Sequence, residues 1–209
     1  LARFEDEGLR GCAMEASSIG LVEQRLNGCA IEVALFTNLT QDHLDYHGTM
    51  AAYGAAKRKL FSWPGLKAAV VNVDDAFGAQ LAAELSGSGL DVWPVSLHAA
   101  ARLVAGERRY GPDGLVFDVA EGATRQRLTT AVVGEFNASN LLVVLGGLRA
   151  LGVPLGDAVA ALGSLTPVPG RLQRVAGEGD ALEAIVDYAH TPDALEQALY
   201  ARRAERQGD

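Results

Sequence analysis

An α/β fold with a mostly parallel sheet follows from three features of the 209-residue chain. Apolar runs of strand length alternate with helix-length segments through the first half. Those runs are continuous stretches of Val, Ala and Leu, as strands covered on both faces require. Polar segments close several of them, at the position where α/β proteins bind ligands.

Taken in order, Gly11 to Ala16 reads as a short apolar strand, followed by a helix around Ile19 to Leu26. Glu32 to Phe36 is a second strand, entering the polar segment Thr37 to Gly48. Thr49 to Phe61 is a helix with Thr49 as N-cap and Pro64 beyond its end. Lys67 to Val73 is a strand ending in Asp74 and Asp75, Asp75 to Leu85 a helix, and Asp91 to Val95 a further strand. From Arg102 to Thr130 the texture changes. Strand-like pieces separated by Gly106, by Gly111-Pro112-Asp113-Gly114 and by Gly122 predict hairpins, a small antiparallel patch at the edge of the domain. Helices are expected from Asn137 to Leu151 and from Pro154 to Gly163. Two prolines and a glycine in Thr166 to Gly170 stop regular structure, so a domain boundary is expected between residues 168 and 169. Beyond it come a strand at Ala184 to Asp187 and a helix from Pro192, a pair too small to fold alone. No internal repeat is present.

Composition narrows the function. Hydrophobic residues make up 49% and charged residues 21%, as in globular proteins. The net charge of −8 makes nucleic acid a poor partner, although that average leaves room for a local basic pocket for phosphates. Cys12 and Cys29 have no metal-like spacing and read as reduced structural thiols. With no bilayer-length apolar run and no signal peptide, a cytoplasmic location without a membrane partner is expected. Leu1 is not an initiator Met, and Leu1 to Gly8 reads as the tail of a helix, so the chain is expected to start in mid-fold.

Four polar segments carry candidate chemistry. Met14-Glu15-Ala16-Ser17-Ser18 offers a carboxylate and two hydroxyls that suit Mg²⁺ and an anionic substrate, or a simple N-cap for the next helix. Thr37 to Gly48 packs His43, His47, Asp42 and Asp45 into twelve positions, enough for a divalent ion that also touches phosphate, or a solvated loop. Lys57 shares a helix with Arg58 and Lys59, which composition alone reads as a solvated charged face. Asp187 ends a strand and precedes His190 and a helix whose first residue is Pro192; it suits a ribose hydroxyl or a helix cap.

The segments MEASSIGLVEQR, TNLTQDHLDYHGTMAAYGAAKRKLF, GEFNASNLLVVLGGL, PVPGRLQRV and VDYAHTPDALEQAL together resemble the Mur ligases, in order and spacing, over nearly the whole chain. The resemblance is to the type that adds the third peptide residue to the peptidoglycan precursor. It implies a Mur-ligase central domain over 1–168 and the start of a Rossmann-like C-terminal domain over 169–209. It implies ATP-dependent amide formation on UDP-N-acetylmuramoyl-L-alanyl-D-glutamate through an acyl phosphate, with meso-2,6-diaminopimelate the expected amino acid and lysine the alternative. By the same resemblance Glu15 and His43 bind Mg²⁺ near the γ-phosphate, and Lys57 is carbamylated into a carboxylate that supports a second Mg²⁺. Ser17, Glu23 and Arg25 hold the UDP-muramoyl dipeptide, Glu23 standing where many members have Gln. Asn137, Arg171, Asp187 and His190 face ATP. The phosphate-cradling G-x-x-G-K-[ST] loop is absent from the chain. A folylpolyglutamate synthase-like ligase, or an inactive fragment without that loop, are the alternative readings.

Overall fold

The structure is a computed structural model that describes residues 4, 6–9, 11–111, 114–176 and 183–206. Six strands form one sheet in chain order: β1 (Val33–Phe36), β2 (Ala68–Asn72), β3 (Asp91–Ser96), β4 (Leu103–Gly111), β5 (Gly114–Glu121) and β6 (Thr124–Thr130). The first four run parallel; β5 and β6 continue the sheet antiparallel.

Burial explains the switch. Every residue of β2 is buried, with Val70 facing one hydrophobic cluster and Ala69 and Val71 the other. A strand covered on both faces cannot alternate polar and apolar residues, and AAVVN does not. On β5 the buried positions are Leu115, Phe117 and Val119, with partly exposed residues between them, the pattern of a strand with one covered face.

Helices supply the two covers. On one face lie α1 (Ser18–Val22), the single turn α2 (Leu44–His47), α3 (Met50–Arg58, continued as a 3-10 turn over Lys59–Ser62) and α4 (Ala76–Leu85). Phe61 and Leu81 from this set pack on Ala34, Phe36, Ala69 and Val71. On the other face α5 (Glu135–Ala150) and α6 (Leu155–Gly163) bury Leu142, Leu145 and Leu162 against Val70, Val95 and Phe117. Each such side chain contributes about 1.5–3 kcal/mol by leaving water.

Caps fall where the sequence places them. Thr49 Oγ1 accepts from the Ala52 N–H at 3.2 Å, and Asp75 Oδ1 from the Gly78 N–H at 2.9 Å. The other Asp75 oxygen accepts from the Leu39 N–H at 3.0 Å, and Asn72 Nδ2 donates to the Thr37 carbonyl at 2.8 Å. These two bonds fix the start of the polar segment after β1.

Four elements differ from expectation. Residues 11–16 form no strand: residues 11–15 are exposed and pair with no neighbouring strand, and an apolar run becomes a strand only where a ladder partner exists. The helix expected to Leu26 stops at Val22, and Gln24 takes φ 59° as the chain turns. Gly106 does not break β4 but lies in a register shift between Ala105 and Arg108, a bulge. A strand not foreseen, β7 (Gln173–Ala176), pairs antiparallel with β8 (Glu183–Val186) in a separate two-stranded sheet. Leu172, Ile185 and, on α7 (Pro192–Arg206), Ala198 and Ala201 pack there against Val133 and Phe136. The Pro112–Asp113 turn and most of the expected helix tail before Gly8 lie outside the described residues. Among the described residues no helix is long and apolar enough to cross a membrane.

Helix α4 sits so close to the sheet that a Cβ at Gly78 would lie 1.9 Å from the Asn72 carbonyl oxygen. Gly78→Ala should therefore destabilise by about 2–3 kcal/mol, because backbone must move. Gly156→Ala on α6 meets nothing within 4 Å and should be neutral or stabilising by under ~1 kcal/mol. Urea unfolding of the two variants checks this; equal stabilities would contradict the close packing.

Candidate active site

The polar segment after β1 folds back over α3. Asn72 and Asp75 hold its first residues; its far end is the single turn α2, closed by Gly48 at φ 75°. His43 opens that turn in the left-handed region, φ 52°, with its N–H donating to Asp42 Oδ1 at 2.7 Å. Left-handed backbone at a non-glycine residue costs free energy and concentrates at functional sites.

Tyr53 is the centre of the cluster. It is buried on α3, with the His47 ring stacked on it at 5.2 Å and the His43 ring edge-on at 5.9 Å. Lys57, one turn further along, places Nζ over the same ring at 5.0 Å from its centroid. Burial pushes the Lys57 amine below the usual lysine value, while the carboxylates of Glu15 and Asp42 oppose the shift without cancelling it. The same burial raises the Tyr53 phenol, helped by Asp42 and Glu15. Lys59, two positions on, is exposed, and Arg58 pairs with Glu84 on α4 at 2.7 Å. Lys57 is therefore no part of a solvated charged face.

The candidate substrate residues gather beside this cluster. Ser17 caps α1 by accepting from the Gly20 N–H at 3.0 Å, so its cap role holds. Arg25 pairs with Glu23, whose second oxygen accepts from the Tyr46 hydroxyl at 3.4 Å. Ser18, buried at 2% exposure, hydrogen-bonds His47 Nε2 at 2.9 Å.

The remaining candidates lie elsewhere. Asn137, in the first turn of α5, donates to the Val133 carbonyl at 2.6 Å. Arg171 and His190 both pack on Tyr188, at 5.1 and 5.3 Å. Asp187 accepts from the Leu172 and Ala189 N–H groups at 2.8 and 2.7 Å and so ties the approach to β7 to the end of β8. Packing of Phe136 against Leu172 and Ile185 brings the start of α5 beside this second group. Sequence reasoning placed His47 in a candidate segment but gave no individual role to it, to Tyr53 or to Tyr188; for Tyr53 the signal was present, since it stands four residues before Lys57 on one helix face.

Among the described residues no three His, Cys, Asp or Glu side chains converge as a metal site would require. Glu15 and His43 alone make a poor donor set for a hard divalent cation. A carbamate on Lys57 would add two carboxylate-type oxygens and remove a repelling ammonium, and oxygen donors of that kind are the ligands Mg²⁺ takes.

A parallel sheet covered on both faces, with a polar strand-end segment folded over a half-buried lysine, belongs to the α/β class, whose ligands bind at strand ends. Residues 1–148 match the family described as Mur ligase middle domain, and the chain belongs to the Mur ligases. That family uses ATP. Over 200 residues it is 60% identical to the UDP-N-acetylmuramoyl-L-alanyl-D-glutamate–2,6-diaminopimelate ligase of Acidovorax sp. (strain JS42), covering 96% of this chain and 40% of that one. A solved structure of a ligase with the same name superposes with a TM-score of 0.82 at 35% identity, over 97% of this chain and 42% of the other. The structure of an FPGS–AMPPCP complex superposes with a TM-score of 0.67 at 19% identity, over 85% and 44%, and shares the fold alone. The chain thus spans about two fifths of the length of the relatives it matches.

The depressed Lys57 amine has a measurable consequence. Between its folded value and the ordinary lysine value, the unfolded chain holds one more proton, so this group makes stability rise with pH there. Lys57→Met should flatten that rise in denaturant melts run across the alkaline range, and a ¹³C titration should place Lys57 below the usual lysine value. A Lys57 that titrates at or above it would contradict the burial argument.

Proposed function

We propose that this chain is the middle portion of an ATP-dependent ligase that joins 2,6-diaminopimelate to UDP-N-acetylmuramoyl-L-alanyl-D-glutamate, a cytoplasmic step of peptidoglycan synthesis. The 60% identity to a ligase so named supports it, and the observation that carries the site is Lys57 partly buried over Tyr53, in the field of Glu15 and Asp42. Neither nucleic acid nor membrane enters this reading.

Lys57 is primed for CO₂. Only a neutral amine attacks the carbon; the new N–C bond forms, one proton leaves, and a carbamate anion results. Desolvation lowers the Lys57 amine from its ordinary value and so favours the neutral form relative to an exposed lysine. Glu15, His43 and the Lys57 carbamate would then hold Mg²⁺, which when bound neutralises phosphate charge as phosphoryl transfer requires. Ser17, Glu23 and Arg25 are assigned to the UDP-muramoyl dipeptide. Asn137 is assigned to adenine, Arg171 to phosphate, Asp187 to ribose and His190 to the same nucleotide. Each Asp187 oxygen already accepts one backbone N–H and keeps a second lone pair for a hydroxyl.

The test is turnover of the full-length enzyme with ATP, the UDP-muramoyl dipeptide and diaminopimelate. Glu15→Ala and His43→Ala should abolish amide formation at ordinary Mg²⁺. Lys57→Ala should lose activity that an added short-chain carboxylate partly restores, while Lys59→Ala stays close to wild type. Asp187→Asn should raise KM for ATP with kcat little changed, since a ribose contact is mostly uniform binding. Full activity of Lys57→Ala, or of either variant at an assigned Mg²⁺ ligand, would overturn the assignment.

A further inference from the structure

We infer that His47 is a positioning residue: through Ser18 it holds the Met14–Ser18 segment, and with it Glu15, against the helix that carries Lys57. It rests on the ligase reading for its kinetic arm alone.

The segment that carries Glu15 does not hold itself in place. Residues 11–17 have no regular structure and pair with no strand, and residues 11–15 are exposed. The Ser17 cap and the turn bonds from Leu21, Glu23 and Arg25 fix α1 relative to itself, not to the sheet. Among the described residues, the hydrogen bonds from residues 11–22 to any element outside their own turn reduce to one, Ser18 Oγ with His47 Nε2 at 2.9 Å. Its Ser18 end is shielded from water, at 2% exposure, while His47 is half-buried. At its other end the His47 ring lies nearly parallel to Tyr53, at 20° and 5.2 Å, with Tyr46 edge-on at 4.9 Å. Tyr53 in turn lies under Lys57 Nζ. One imidazole thus spans from the Glu15 segment to the plate beneath Lys57. It touches neither group directly, so it acts through Ser18 and Tyr53.

Buried Gly20 and Leu21 pack α1 against α3, and the Ser18–His47 bond is the polar link that fixes its register there. Without it the carboxylate shifts, and misplacement of about 1 Å can cost on the order of 100-fold in rate. Three variants separate the contacts. His47→Phe keeps a ring on Tyr53 and loses the hydrogen bond. Ser18→Ala loses the bond from the other side, and His47→Gln keeps a polar group of similar reach. In this chain, amide exchange at Leu21, Glu23 and Arg25 should speed up roughly tenfold in His47→Phe and in Ser18→Ala, with no further gain in the double variant. In the full-length enzyme, both should lower kcat on the order of 100-fold with KM for ATP within about twofold of wild type, and His47→Gln should recover at least about tenfold. Unchanged exchange in His47→Phe, kcat within about threefold of wild type, or single effects that multiply in the double variant would each overturn the proposal. An inactive wild-type enzyme would instead fail the ligase reading, and the exchange measurements would still decide the role of His47.

Discussion

The buried ring of Tyr53 is the constraint on which the site depends. It fills the space between α3 and the segment after β1, so that His43, His47 and Lys57 all take their positions from one aromatic surface. Burial of that surface also removes water from Lys57, and the penalty for a desolvated ammonium exceeds what Glu15 and Asp42 return. A single packing decision therefore sets both the geometry of the cluster and the chemistry of its lysine.

Around that cluster, most strand-end polar groups are committed to holding backbone. Asp74 accepts from the Ser96 hydroxyl and the Leu97 N–H; Asp75 joins Leu39 to the first turn of α4. Asp187 does the same between Leu172 and Ala189. Carboxylates that accept several N–H bonds form rigid corners, and rigid corners let loops carry chemistry. Lys57 differs from them all. It is partly buried and, among the described residues, has a ring rather than a paired carboxylate as its contact.

Much of the fold was legible because its elements are long or sharply punctuated. The buried run AAVVN, the Thr49 and Asp75 caps and the Gly122 turn all state local structure in few residues. The strand read at Gly11 to Ala16 failed because ladder pairing is a property of neighbours, which an apolar run cannot reveal. Strand β7 was missed because QRVA has too little pattern to stand out beside a Pro-Gly break. For the site, residue identities came from resemblance and their arrangement from packing. Nothing in the spacing of His47 and Ser18, 29 positions apart, announces that they meet. Composition was equally silent on Lys57: exposure sets Lys59 apart, and only the Tyr53 contact of Lys57 against the Glu84 pair of Arg58 separates the other two.

The central claim is that burial over Tyr53 makes Lys57 the amine that takes up CO₂. The direct measurement is ¹³C NMR of this chain in ¹³C-bicarbonate at mildly alkaline pH, read for a carbamate carbon. The account predicts a signal that Lys57→Met removes, Tyr53→Leu weakens and Lys59→Met leaves intact. A signal that survives Lys57→Met, or none in the wild-type chain, would contradict it.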